Sequence, residues 1–376
     1  SDWSSDVCSS DLMIQSIDLL KNGRNYLVRA RSADGAAGIA VSHNSNMPFL
    51  FPILLDRVIP FFIGKDARNL DSLIDGVYIH DSNYKLQGLA FWLCVASVEF
   101  AILDLLGRIA EKPVGELLGG VVRQQVDVYM ANNHRDKTAE ETVERLVESL
   151  EKCGARALKF KIGGRMRHNQ DSIPGRTEKL IPMARKVLGD DVIIYADSNG
   201  SYDVENSIRI GRILEEADVK FFEEPCPFDH YDETKRIADS LTIPIAGGEV
   251  ESSLHQFKWM IQNNAVQIVQ PDLFYFGGFI RSIRVARMAA LVNSPCTIHL
   301  SGSGLGYLYM LHFASCVPNT GPFQEFKGRT EKELPMECAT SDLECRNGIL
   351  QIPTGPGFGI EIDPDFVKQA ERIVIS

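Results

Sequence analysis

Within the stretch LKFKIGG, Lys159 and Lys161 stand two residues apart. In an extended strand such residues share a face. Two ammonium groups on one face repel each other and, if the face is interior, also lose hydration, so the pair needs anionic company or a proton-transfer task. Acidic partners follow at even intervals: Asp197 in YADSNG, Glu223 and Glu224 in FFEEPCP and Glu249 in AGGEVES, with 26 residues from 197 to 223 and 26 from 223 to 249. Three carboxylates gathered from successive strands repel strongly unless a divalent cation sits between them. An all-oxygen donor set favours Mg2+ over zinc and leaves positions for water or substrate. Any one of these acids alone suits a helix cap or a solvated loop; their recurrence at successive strand ends favours the cation. Further on, Asp272 in VQPDLF and His299 in TIHLSG offer a carboxylate that fixes the tautomer of an imidazole and raises its basicity, as a general acid/base requires. Beside Lys159, Lys161 is expected to have a depressed pKa and to serve as a base near neutral pH. The plainer alternative is an edge strand with snorkelling lysines.

These groups converge only if each ends a strand of one parallel sheet. From about Gln125 the pattern fits: VDVYMA, ALKFKIG, VIIYADSN, KFFEEP, IPIAGGE, AVQIVQPDL, CTIHLSG and FQEF read as strands, separated by helical stretches such as TAEETVERLVESLEKCG and RSIRVARMAALVN. Such alternation predicts a (β/α) barrel with its reactive groups at the C-terminal strand ends. A doubly wound open sheet competes, but it usually carries an early Gly-rich phosphate loop, and the sequence has none. Upstream, YLVRARSADGAAGIAVS alternates about a DG turn as a hairpin does, and the run GLAFWLCVASVEFAILDLLGRIAEKPVGELLGG is apolar nearly all round, as in a buried helix. The expected organisation is an α+β capping domain over 13–124, a barrel over 125–330 and a C-terminal segment, 331–376, returning to the cap. The Ser/Asp-rich residues 1–12 read as an extraneous leader, the alternative being a disordered tail.

With 376 residues, 44% of them hydrophobic, the chain can bury one large core or two domains. A net charge of −11 without a basic block argues against nucleic acid or an anionic membrane as partner. No apolar run reaches bilayer-spanning length, and the N-terminus lacks the basic and apolar regions of a signal peptide. The eight cysteines show no CxxC spacing, so reduced thiols and a cytoplasmic location are expected.

Taken together, the KxK pair, the three spaced acids, the Asp/His dyad and a late glutamate resemble the enolase superfamily, in its mandelate racemase-like branch, over essentially the whole chain from Met13. The resemblance implies a modified (β/α)7β TIM barrel beneath an N-terminal α+β capping domain. It implies Asp197, Glu223 and Glu249 as Mg2+ ligands, Lys159 and Lys161 as the KxK pair, and Asp272 with His299 as the dyad. Glu325, in FQEFKG, is the candidate for the late glutamate that bonds the substrate carboxylate. The chemistry shared across this superfamily pairs a Lys or His base with Mg2+: the metal holds a substrate carboxylate and a base takes the proton from the adjacent carbon.

Two departures bear on substrate choice. LLKNGRNYL leaves little room for the flap the family carries between its first two strands, so lid duty is expected of SHNSNMPFLFP, residues 42–52. GRMRHNQDSIPGRT, residues 164–177, reads as a polar loop inserted after the second barrel strand. Asn132, Asn133 and His134 after the first strand, Asn199 after the third, and His43, Asn44 and Asn46 in the lid suit a polyol chain, though turn formation and solvation explain such residues equally. The expected activity is dehydration of a sugar acid to a 2-keto-3-deoxy acid, with racemisation or epimerisation as the alternative and a silent binding scaffold as a distant third. The expected partners are a small carboxylate substrate and, in a homo-oligomer, further copies of the chain.

Overall fold

The computed structural model describes residues 12–302, 304–328 and 343–374. The expected leader lies outside these residues except for Leu12, as do residues 331–342 of the expected C-terminal segment. Strands β1 (Ile14–Asn22), β2 (Asn25–Ser32) and β3 (Ala37–Val41) form an antiparallel meander. Only Gly23 and Arg24 separate β1 from β2, so no flap arises there. The Leu89–Ile109 helix packs so closely on this sheet that a Cβ on Gly38 would meet the Leu105 nitrogen. Contrary to the sequence expectation, this helix is long and apolar enough to cross a membrane. It is instead almost wholly buried inside the protein, as a core helix is.

The second half of the chain is built on a parallel sheet. Strands β4 (Gln125–Ala131), β5 (Ala157–Lys161), β6 (Ile193–Asp197), β7 (Phe222–Glu223), β8 (Ile245–Gly247) and β9 (Ile268–Val269) lie side by side, and β10 (Gln324–Phe326) pairs with the other edge of β4. Helices follow the strands in alternation, from Ala139–Cys153 after β4 to Phe279–Ala290 after β9. The expected seventh strand, CTIHLSG, is reduced to two isolated bridges, Val269 with Cys296 and Asp272 with His299. Thr297 N–H still donates to the Val269 carbonyl and His299 N–H to that of Pro271. Pro271 has no N–H to return, so a continuous ladder cannot form. The chain beyond β10 divides: β11 (Ile349–Gln351) pairs antiparallel with β4, while β12 (Glu371–Arg372) pairs antiparallel with β1.

Alternation along β5 sorts its side chains. Leu158 and Phe160 enter the apolar layer beneath the helices, and Ala157, Lys159 and Lys161 line the barrel. The lower barrel is filled by Tyr129, Ala157, Tyr195, Phe221, Ala246 and Phe323. Tyr195 and Phe221 stack at 3.9 Å, with Tyr129 edge-on to Tyr195 at 5.2 Å, contacts worth about 0.5–1.5 kcal/mol each beyond burial. The register pairs Lys159 with Tyr195 and Lys161 with Asp197, so an aromatic floor lies directly beneath a layer of charge.

Cap and barrel are joined by a buried carboxyl group. Glu99, on the Leu89–Ile109 helix, accepts the N–H groups of Phe279 (2.7 Å) and Ile280 (3.0 Å) at the start of a barrel helix. Gly278 leaves it room, since a Cβ there would collide with a Glu99 oxygen. Burial pushes the Glu99 pKa up to about 8 against the opposing pull of these donors. The folded protein therefore holds a proton that the unfolded chain releases near pH 4.3, and stability falls as pH rises from there to about 8, by up to about 1.4 kcal/mol per unit. Glu99→Gln keeps an acceptor without the charge. Thermal melts are expected to show the variant gaining on the wild type steadily between pH 5 and 8.

Candidate active site

The open ends of the strands bring the predicted charges together in pairs. Lys159 is fully buried and donates to both oxygens of Glu223, at 2.8 and 2.7 Å, with Glu325 at 3.8 Å. Burial pulls its pKa down, but Glu223 and Glu325 outweigh burial and hold it well above the usual lysine range. Lys161 forms an ion pair with Asp197 and lies 3.3 Å from Asn199 Oδ1. The two ammonium groups of KFK thus do not face each other alone, as the clustering argument assumed; each has its own carboxylate. Asp197 is correspondingly lowered: burial opposes the shift, and Lys161, Lys159 and Arg135 override it.

Asp197, Glu223 and Glu249 are all buried, and each offers an oxygen within 4.8 Å of the others. Glu249 Oε2 has no hydrogen-bond partner despite its burial. Three buried carboxylates, one with an oxygen that accepts no hydrogen bond and has His299 Nε2 3.4 Å away, form a hard oxygen donor set of the kind that fits Mg2+, with Lys159 and Lys161 paired to the other two.

On the far side of the triad, Asp272 accepts from His299 Nδ1 (2.8 Å), from the N–H groups of Phe274 and Tyr275 (2.8 Å each), and from Ser301 N–H (2.6 Å) and hydroxyl (2.9 Å). With Nδ1 donating to Asp272, Nε2 is the His299 nitrogen that faces the triad. It lies 3.4 Å from Glu249 and 3.9 Å from Glu325. Burial lowers the His299 pKa, but Glu249, Glu325 and Asp272 raise it above the ordinary value. Asp272→Asn turns an amide NH2 toward N–H donors and weakens the hold on the tautomer. A loss of roughly 10²–10⁴ in kcat is expected, together with a lower Tm, measured by steady-state kinetics and thermal melts.

Glu325, the middle residue of β10, accepts from Leu300 N–H at 3.5 Å and lies 3.5 Å from the Lys327 ammonium. Burial raises its pKa, but Lys159, Lys327 and His299 more than reverse this and keep it ionised. Asn199 is central: its Oδ1 accepts from Lys161 and, at 2.7 Å, from Arg135, while its amide lies 3.4 Å from Glu249 and from Glu224. His43 reaches in from the cap and packs on Phe274 and Tyr275 at 5.4 and 5.6 Å. Its Nδ1 accepts from Asn46 N–H, which leaves Nε2 buried without a partner.

The other polar candidates have local duties. Asn132 Oδ1 accepts from His134 N–H at 2.7 Å in a turn, and Asn133 is exposed. The Asn44 side chain is used up on Asn25 and Tyr26 N–H. Residues to which the sequence gave no role complete the site. Gln270 donates to Glu223 at 3.0 Å. Glu224, in the left-handed region at φ +42, is buried with Oε1 unpartnered. Buried Arg176 donates to the carbonyls of Lys161, His134 and Lys137, fastening the end of β5 to the loop after β4. Alternation could have found Gln270, two residues before Asp272, and Lys327, two after Glu325; nothing local marks Arg135 or Arg176.

A parallel barrel with an oxygen-donor triad on its third to fifth strands and candidate bases at its second and seventh positions defines a class: metal-assisted enzymes that handle a proton beside the metal. The chain belongs to the enolase C-terminal domain-like family, whose model matches residues 141–366. The resemblance seen in the sequence therefore holds, in family and in fold. An arabinonate dehydratase of Saccharolobus solfataricus is 28% identical over 332 residues, covering 88% of this chain and 86% of its own. A solved structure from Roseobacter denitrificans is 32% identical with a TM-score of 0.90, over 96% of this chain and 99% of that one. A mandelate racemase/muconate lactonizing protein from Paracoccus denitrificans, solved with magnesium, is 26% identical with a TM-score of 0.84, over 96% and 98%.

Proposed function

We propose that this enzyme abstracts the proton adjacent to a substrate carboxylate with Mg2+ as cofactor, and that it dehydrates a sugar acid to a 2-keto-3-deoxy acid. The observation that carries this reading is the placing of Lys161 and His299 on two sides of one acidic triad. Asp197, Glu223 and Glu249 would hold the cation, which when bound supplies Lewis-acid stabilisation of negative charge on the substrate carboxylate. Lys161 sits where it can take or return a proton. His299 Nε2, held by Asp272, can protonate the departing hydroxyl of the β-carbon. Lys159 stays cationic and, with Glu325 and the Leu300 N–H, orders the carboxylate end of the site. His43 and Asn199 would hold the polyol. The name of the Saccharolobus relative supports dehydration.

The capping domain would comprise residues 13–124 with the returning C-terminal strand, the barrel residues 125–330. The protein would act in the cytoplasm as a homo-oligomer.

The reaction is tested by incubating sugar acids with enzyme and Mg2+ in D2O and reading NMR. A 2-keto acid from one or a few of them is the expected result. Deuterium at the α-carbon without a keto product would instead establish a racemase or epimerase, the outcome favoured if the second base merely returns the proton. Mg2+ at about 100 times its Kd should also stabilise the fold by about 2.7 kcal/mol, seen as a raised Tm that EDTA reverses.

A further inference from the structure

Cys153 and Cys345 stand 192 residues apart, so no local spacing marks them as a pair, yet the fold brings their sulfurs within 2.6 Å of each other. Cys153 is buried and Cys345 half-buried. Backbone on both sides fixes this meeting. Cys153 ends the Ala139–Cys153 helix, and Gly154 follows it in the left-handed region at φ +66, turning the chain toward β5. Opposite, Arg346 and Ile349 exchange N–H···O bonds of 3.1 and 3.0 Å, closing a tight turn just after Cys345. Gly348, in that turn, donates its N–H to the Cys153 carbonyl at 2.8 Å and accepts from Val128 N–H, on β4, at 2.9 Å. A Cβ on Gly348 would lie 2.9 Å from the Ala155 Cα, so glycine is what lets the two segments approach this closely. Beyond the turn, β11 runs antiparallel along β4, with Ile349 opposite Asp127. The two cysteines are thus set against each other by bonds that neither side chain makes.

Facing sulfurs of this kind either hold a metal ion or bond to each other. Two thiolates on one ion, at about 2.3 Å each in a tetrahedral site, stand about 3.7 Å apart, so no ion fits between these. A disulfide needs only that one side chain close the remaining gap, to about 2.05 Å. We propose that Cys153 and Cys345 are a reversible redox pair whose disulfide clasps the C-terminal return of the chain to the helix after β4. The oxidant is a low-molecular-weight disulfide of the glutathione type. One cysteine, as thiolate, attacks a sulfur of that disulfide, forming a mixed disulfide and releasing one small thiolate. The other, its proton passed to solvent, attacks the protein sulfur of the mixed disulfide and releases the second. Two protein thiols and one small disulfide thus become one protein disulfide and two small thiols. A thiol-rich pool keeps the pair open, and a rising share of the oxidised form closes it. Closure gathers β5 through β10 into one covalent loop. The loop ends beyond β10, where Phe326 pairs with Met130, whose sulfur lies 3.4 Å from that of Cys153. The clasp is therefore one side chain from the strand that carries Glu325, although neither cysteine belongs to the groups assigned to the reaction.

The test equilibrates the full-length protein in mixtures of reduced and oxidised glutathione, quenches with acid, alkylates the remaining thiols and maps the peptides by mass spectrometry. In the oxidised mixture the Cys153 and Cys345 peptides are expected as one linked species, and in the reduced mixture both should be alkylated. The oxidised protein should melt about 3–8 °C above the reduced one, because the bond closes a long loop in the unfolded chain. Dithiothreitol should abolish that difference. Cys345→Ser, at the half-buried position, should melt at the same temperature in both mixtures. The wild type compared with itself carries the test even where a serine variant folds poorly. Alkylation of both cysteines in every mixture overturns the pair. So does either cysteine joined instead to glutathione alone, or to Cys8 or Cys338, which lie outside the described residues. A linked species with an unchanged Tm would overturn the clasp.

Discussion

Lys161→Met is expected to lower turnover by roughly 10²- to 10⁴-fold, and His299→Asn by a similar factor, while both variants keep the wild-type circular dichroism. The two residues contribute in different ways, and solvent exchange separates them. A dehydration needs one group to take the α-proton and another to protonate the departing hydroxyl. The variant that retains the deprotonating base still exchanges the α-proton with D2O even though product no longer forms. The variant that has lost that base does neither. Lys161 stands against Asp197 and Asn199, and His299 is held by Asp272 on the opposite side. Exchange surviving in one variant alone therefore identifies the abstracting face, and with it the configuration of the carbon attacked. Full activity in both variants would remove them from the chemistry.

Glu223→Leu carries the second large effect, on activity and on stability together. Activity should vanish because one of the three oxygen donors is gone. Stability should fall by about 3–5 kcal/mol even without metal, because Lys159 is left fully buried with its bidentate partner removed. The pair Lys159→Met with Glu223→Leu tests the cause. If the penalty is the orphaned ammonium, the double variant should melt near the wild type in EDTA while remaining inactive. A double variant as unstable as the single one would place the penalty in packing against the Tyr129 ring, 5.3 Å from the ammonium.

Much of this was written into the sequence at the level of strand period and spacing. The i, i+2 pair Lys159 and Lys161, the even gaps between Asp197, Glu223 and Glu249, and the later Asp272 and His299 all gather at one rim because each lies on, or a few residues beyond, a strand or bridge of one parallel sheet. What a linear pattern does not carry is who meets whom. It placed two lysines together and inferred mutual repulsion, whereas barrel closure brings Glu223 and Asp197 to them first. It drew CTIHLSG as a full strand because β-branched and apolar residues dominate it, but the missing N–H of Pro271, on the neighbouring strand, reduces that pairing to bridges. Asn132 and Asn44 looked like substrate contacts by type; short polar side chains beside a turn also satisfy nearby backbone and side-chain groups, and in both cases they do. Arg176 was invisible for the opposite reason: its four acceptors, at Lys161, His134, Lys137 and Thr142, come from three separate elements.

The most direct measurement uses a sugar acid found to be turned over, deuterated at the carbon next to its carboxylate and given to the Mg2+ enzyme in ordinary water. If a base at Lys161 or His299 removes that hydrogen, the 2-keto acid forms with the label released to solvent, and formation slows relative to the unlabelled acid wherever that step limits the rate. A product that keeps the deuterium, moved to the neighbouring carbon, would mean that the hydrogen never reaches a protein base, and would contradict α-proton abstraction as the reaction of this site.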